Sequence, residues 1–226
     1  MPIITVSRQV GSLGDEIASG VATRLGLRLV DQDIINQVAE RLGVSPSSLT
    51  RHDEREATLV SELVRTMRRL YPATLATNDS ENADVDEAAY AQVIRQVIWE
   101  VARGGDAVIV GRAASLILGQ HPDTVHVLVV APRDVRIERV MTEGGLDRSK
   151  ASRRVAESDA NRARYIRHFY RANWLDVNLY DLVVNTGHFS ELRAVSLVCS
   201  AAARDEISTG GDPAPQEPGG TDGALT

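Results

Sequence analysis

Residues 11–16, Gly-Ser-Leu-Gly-Asp-Glu, follow a β-branched run at residues 3–6 and precede Ile17, Val21 and Leu25 at helical spacing. A glycine turn from strand to helix aims backbone N–H groups at one point, and the helix dipole adds partial positive charge there. Such a turn suits an anion, and a phosphate above all. A merely tight connection needs the same glycines, so the loop by itself leaves both readings open. The cations shift the balance. Lys150 is the only lysine among 25 Lys and Arg residues, so nearly all the positive charge is guanidinium, which grips phosphate oxygens as a fork and keeps its proton. Arg8 falls in the loop region, Arg112 directly follows an apolar run, and Arg136 and Arg139 share one face of a helical stretch. Arg148, Arg153, Arg154, Arg162, Arg164 and Arg167 crowd the next one. Singly, each reads as a solvated surface residue; together with the loop they favour phosphoryl-group recognition.

Other chemistries find little support. His52, His121, His126, His168 and His188 show no metal-binding spacing, and the lone Cys199 sits in an apolar helical pattern that reads as a buried, inert thiol, so no structural zinc is expected. There is no GxSxG elbow, and Ser7 and Ser12 have no neighbouring histidine to activate them. Tyr165, Phe169, Tyr170 and Trp174 read as a core stripe rather than a base-stacking platform.

The elements that must position these residues alternate. Short apolar runs at 3–6, 27–30, 107–110, 125–131 and 182–184 have the length of buried parallel strands. Helical patterns cover 16–25, 33–42, 54–70, 90–103, 133–141, 149–170 and 191–204, with Asp147 or Ser149 as N-cap of the sixth. Residues 74–86 lack periodicity and read as a surface loop. The alternation predicts a three-layer α/β domain, in which ligands bind beyond the carboxyl ends of the strands. Those ends carry Ser7, Arg8, Asp31, Gly111, Arg112, Ala131 and Thr186.

At 226 residues, 43% hydrophobic and 25% charged, the chain fits one globular domain, residues 1–206, and residues 207–226 turn to Gly, Pro, Asp and Thr and read as a disordered tail. A net charge of -6 argues against nonspecific nucleic-acid binding. No signal-like segment and no membrane-length apolar run stands out, which predicts a cytoplasmic protein without a membrane partner.

The succession ITVSRQVGSLGDEIASGVATRLGLRLVDQDII, AVIVGRAASLIL, VHVLVVAPRDVRIERVM, SDANRARYIRHFY and YDLVVNT resembles the cytidylate kinase-like family, a branch of the P-loop nucleoside monophosphate kinases. The resemblance covers residues 3–186. It implies a three-layer αβα P-loop NTPase fold with a parallel sheet of about five strands, an acceptor-binding insertion at about 44–86 and an arginine-rich lid at about 144–172. It further implies ATP as donor, Mg²⁺ and nucleotide substrates. Ser7, Gly11, Ser12, Gly14, Asp15 and Glu16 would wrap the triphosphate. Asp31 would lie near the acceptor nucleotide and Arg112 would contact its phosphate. Arg136, Arg139, Asp159 and Arg162 would serve the transferring group, Asp159 on the substrate side.

The chain departs from the P-loop pattern GxxxxGK[ST], whose lysine reaches the β- and γ-phosphates and whose hydroxyl holds Mg²⁺. Aligned from the helix, the lysine position falls on Gly14 and the hydroxyl on Asp15 or Glu16. Arg8, or Lys150 from the lid, would have to supply the charge, and Asp15, Glu16 or Asp31 the metal contact. Ala113 follows Arg112 where the family's cytidylate kinases carry an aspartate. Three functions remain open at this level: a (d)CMP or other nucleoside monophosphate kinase, a non-catalytic nucleotide-sensing domain, and a kinase acting on a non-nucleotide acceptor.

Overall fold

The computed structural model describes residues 2–31 and 87–203. The helices expected at 33–42 and 54–70, the loop at 74–86, the insertion at 44–86 and the tail at 207–226 lie outside the described residues. In chain order the described elements are β1 (Ile3–Arg8), α1 (Gly14–Leu25), β2 (Arg28–Val30), α2 (Glu87–Gly104), β3 (Ala107–Val110) and α3 (Ala114–Leu118). They continue with β4 (Thr124–Val130), α4 (Arg133–Gly144), α5 (Arg148–Tyr170), a 3₁₀ turn (Val177–Leu179), β5 (Leu182–Asn185) and α6 (Glu191–Ala202).

The strands form one parallel sheet in the order β2-β3-β1-β4-β5, with β1 at its centre. Side chains alternate across it, as a strand requires. Ile3, Ala107, Ile109 and Leu128 face one core with α2, α3, Ile166 of α5 and Trp174. Ile4, Val6, Val108, Val110, Val127, Val129 and Val184 face the other, with α1 and α6. Both faces are therefore covered by helices, the αβα sandwich that the alternation of elements predicts. Each fully buried Ile or Val contributes about 1.5–3 kcal/mol. Cys199 lies in the second core, where burial pushes its thiol pKa up, consistent with an inert role. Inside the sheet His126 is held at both ring nitrogens, by Thr5 Oγ1 at 2.7 Å and by the Gly119 carbonyl at 2.6 Å. Hydrogen bonding to a carbonyl places the proton on Nε2, so Nδ1 accepts from the Thr5 hydroxyl.

Several boundaries differ from the sequence reading. Pairing of Ser7 with Leu128 and Arg8 with Val129 carries β1 two residues further, so Arg8 belongs to the strand and not to the loop. α1 starts at Gly14, two residues early, because Leu13 adopts a left-handed φ of 63° that launches the helix. α3 was not expected at all; it follows three consecutive left-handed residues, Gly111, Arg112 and Ala113. For Arg and Ala that conformation costs about 1 kcal/mol each and is invisible to propensity.

α4 straps the domain together. Arg136 is buried and forms a bidentate bridge to Asp159 of α5, Nη1–Oδ1 3.1 Å and Nη2–Oδ2 2.9 Å, while its Nε donates to the Ala131 carbonyl at 3.2 Å. Ile137 and Val140 of α4 pack on Ala151 and Val155 of α5. Arg139 points the other way, donating to the carbonyls of Gly11 and Thr186 and to the Thr186 hydroxyl. Of the two N-caps the sequence offers for α5, Asp147 is the one used, accepting from the Lys150 N–H at 2.8 Å. Removing one partner of a buried ion pair strands the other. Asp159→Ala is expected to lower unfolding free energy in urea by about 3 kcal/mol, whereas Arg136→Met/Asp159→Leu recovers more than half of that loss.

Candidate functional site

The carboxyl ends of β1 and β3 open into a cavity of about 590 Å³. Ser7 and Arg8 reach it from β1, Gly111 and Arg112 from the left-handed stretch after β3, and Ser115 and Leu116 from α3. Its far wall is one face of α5: Arg154, Ser158, Asn161 and Tyr165 recur at spacings of four, three and four, with Glu157 and Arg162 beside them. Trp174 and Tyr180 close the base. Four arginines against a single carboxylate make the lining strongly positive. Clustered guanidinium groups in a partly desolvated cleft are suited to an anion with several oxygens.

Two of these arginines are held in place by features that no helix or strand pattern reveals. Arg162 stacks on the Trp174 ring at 5.0 Å, and its Nη1 is buried without a hydrogen-bond partner. Burial, and after it the charge of Arg8, push its pKa down to about 10, so it stays charged at neutral pH at a cost that a bound anion would remove. The Tyr180 hydroxyl donates to the Trp174 carbonyl at 2.7 Å, fixing the ring against which Arg162 lies.

Arg8 crosses the first turn of α1. A Cβ placed on Gly14 would collide with Arg8 Cβ and would lie 2.7 Å from its Cγ, so Gly14 is required for the arginine to pass. Beyond it, Nε and Nη2 each lie 3.0 Å from Asp15 Oδ1, and Nη1 rests against Gly111. The Arg8 side chain is 14% exposed and that of Asp15 68%.

The loop between β1 and α1 is rigid by its own bonds. Gly11 takes a left-handed φ of 74°. The Ser12 hydroxyl donates to the Gln9 carbonyl at 2.7 Å, and Gln9 Oε1 accepts from the Ala131 N–H at 3.2 Å. The Thr186 hydroxyl donates to the Ser12 carbonyl at 2.8 Å. Ser12 is fully buried, and its hydroxyl shapes the turn through the bond to Gln9. Leu13 offers no side-chain cap, and the first N–H groups of α1 have no intrahelical acceptor, which leaves them available to an anion.

Of the residues expected from sequence, Ser7, Arg8, Arg112 and Arg162 meet in the cavity, with Gly14 and Asp15 against Arg8. Arg136, Arg139 and Asp159 do not line it; their polar groups are engaged with one another, with Thr186 and with backbone carbonyls. Asp31 follows β2, one strand away from β3, and Glu16 is exposed on α1. Arg154, Asn161 and Tyr165 were missed as a constellation, although their helical spacing was readable, and Trp174 serves both core and cavity.

Among the described residues no group of three or more His, Cys, Asp or Glu side chains is placed to hold a metal, and no helix is long and apolar enough to cross a membrane. Among the described residues the carboxylate bonded to Arg8 is Asp15, so a Mg²⁺ ion carried in by a ligand's phosphates would have Asp15 beside it.

Comparison with known proteins agrees with this geometry. The chain is 25% identical over 203 residues to a cytidylate kinase of Methanocaldococcus jannaschii, covering 88% of this chain and 96% of that one. It is 32% identical over 139 residues to a uronate isomerase of Corynebacterium glutamicum, covering 58% of this chain but only 26% of that protein. A solved structure of an uncharacterized protein from Eubacterium ventriosum shares the fold, with a TM-score of 0.65 at 19% identity over 89% of this chain and 98% of the other. The profile of the cytidylate kinase-like family matches residues 3–188, most of the sequence, and the chain belongs to the cytidylate kinase-like family.

Proposed function

We propose that the protein is a nucleotide phosphotransferase that moves the γ-phosphoryl group of ATP to a nucleoside monophosphate, with CMP as the first acceptor to try. The observation that carries this reading is the convergence of Arg8, Arg112 and Arg162 on one cavity beside the uncapped start of α1. Family membership supports the reaction class, and the archaeal cytidylate kinases among its relatives support the acceptor.

The residues suit the reaction. The attacking oxygen belongs to the acceptor's phosphate and is already anionic, so no general base is required; its bond to γ-phosphorus forms as the bond from γ-phosphorus to the β,γ-bridging oxygen breaks. What remains is to position two polyanions and neutralise them. Arg112 and Arg162 would hold the acceptor phosphate and the transferring group, with Arg154 and Asn161 on the same wall. The N–H groups of the loop and of α1 would bind the donor phosphates. Mg²⁺, when bound, would neutralise donor charge. Arg136, Arg139 and Asp159 are assigned positioning roles, tying the loop and α5 to a common strap.

A non-catalytic nucleotide-binding domain is the rival reading. It is favoured by Gly14 at the lysine position, and by Lys150 being engaged at 3.2 Å with its own helix cap, Asp147. ADP formation from ATP and Mg²⁺ across a panel of nucleoside monophosphates separates the two. CMP is expected to stimulate turnover, and Arg162→Met is expected to lower kcat/KM about 100-fold or more. The same variant should raise stability by about 1 kcal/mol, because the Arg162 guanidinium is desolvated and its Nη1 is buried with no hydrogen-bond partner. ATP binding with no stimulation by any acceptor would instead support the non-catalytic reading.

A further inference from the structure

The loop lacks a lysine, yet a cation stands beside the position where one would be. Arg8 issues from the last residue of the central strand and lays its Cβ and Cγ over the bare Cα of Gly14. Its guanidinium then lies between Asp15 on the first turn of α1 and Gly111 at the entrance to the Arg112 wall. A side chain at position 14 would strike the Cβ and Cγ of residue 8, so the two positions compete for the same volume. The pair Arg8–Gly14 is thus one solution to a problem that a lysine at position 14 would solve from the opposite direction.

We infer that Arg8 is the donor-phosphate cation of this protein, that Gly14 is glycine to let it pass, and that Asp15 holds the guanidinium until a triphosphate displaces the carboxylate. This rests on the phosphotransferase reading and names the residue that would allow it. Lys150 does not line the cavity; its ammonium lies 3.2 Å from Asp147, the N-cap of its own helix. Asp15 is well suited to give way. Its carboxylate is mostly exposed and touches Arg8 through one oxygen only, so rotation into solvent or towards a metal ion carried by the ligand leaves no buried charge behind. The Arg8 guanidinium, largely shielded, stays in place for the incoming phosphates. The two residues are therefore separable: one fixed cation and one replaceable anion.

The test relocates the charge. Arg8→Met, Gly14→Lys and Arg8→Gly/Gly14→Lys are compared with the wild-type chain. Calorimetry with inorganic tripolyphosphate and with Mg²⁺–ATP is the primary readout, CMP-dependent ADP formation the second, and circular dichroism with thermal unfolding reports folding. Arg8→Met is expected to weaken tripolyphosphate binding about tenfold or more and turnover about 100-fold. Gly14→Lys alone should also be impaired, because its stem collides with that of Arg8. The double variant, in which glycine at position 8 removes the Cβ and Cγ that a side chain at position 14 would strike, should bind at least about tenfold more tightly than Arg8→Met, since the charge returns from the other side. Asp15→Asn keeps the cation and removes its competitor, and should strengthen metal-free tripolyphosphate binding about threefold or more; it serves as the second line if Arg8 variants unfold.

Wild-type affinity and turnover in folded Arg8→Met would overturn the inference while leaving the phosphotransferase reading intact. Unchanged or weaker tripolyphosphate binding by Asp15→Asn would overturn the holding role of Asp15. A wild-type chain that binds neither tripolyphosphate nor ATP would overturn both the inference and the reading on which it rests.

Discussion

A guanidinium that must cross the first turn of a helix can do so only where that turn lacks a side chain, and the contact of Arg8 with Gly14 meets this constraint at the centre of the sheet. Its consequences run outward. The central strand extends to residue 8, so that the arginine is anchored by β-ladder pairing with Val129 rather than carried on a loop. Its charge reaches Arg162 on α5, where it lowers the pKa of a second guanidinium already burdened by burial. The left-handed stretch that begins at Gly111 brings a third arginine to the same space. The repulsion between Arg8 and Arg162, added to the burial of Arg162, is the kind of strain that a polyanion in the cleft would relieve.

The strap formed by α4 explains why the cleft keeps its shape. Arg136 fixes α5 through Asp159, and Arg139 fixes the glycine loop through the carbonyls of Gly11 and Thr186. The α5 wall of the cavity and the neighbouring glycine loop are therefore referred to one helix, while hydrophobic contacts of Ile137 and Val140 with Ala151 and Val155 keep that helix seated. Arginines separated by three positions thus serve opposite ends of the site without touching its contents. Phosphoryl transfer depends on placement more than on covalent chemistry, which makes such bracing part of the function and not only of the fold.

Much of this was legible in the sequence. Alternating apolar runs and helical patterns give the order of elements, and buried parallel strands are short and continuously apolar for a physical reason, since both their faces are covered. The glycine loop, Arg112 and the arginine-dense face of α5 stand where an open sheet places its ligands. The pairing of Arg136 with Asp159 was not legible, because two charged residues on separate helices become partners only through tertiary packing. Nor was the inward turn of the Ser12 hydroxyl, which depends on the local path of Gln9. The left-handed backbone of Arg112 and Ala113 runs against residue preference, so only the fold reveals it. Gly14 illustrates the limit well: as a sequence symbol it marks a missing lysine, while in three dimensions it marks the passage of an arginine.

The most direct measurement is a crystal structure of the chain with Mg²⁺ and a non-hydrolysable ATP analogue. The account predicts the Arg8 guanidinium hydrogen-bonded to β- or γ-phosphate oxygens, with Asp15 released from it. Arg8 still paired with Asp15, and the phosphates lying elsewhere or contacted by Lys150 instead, would contradict it.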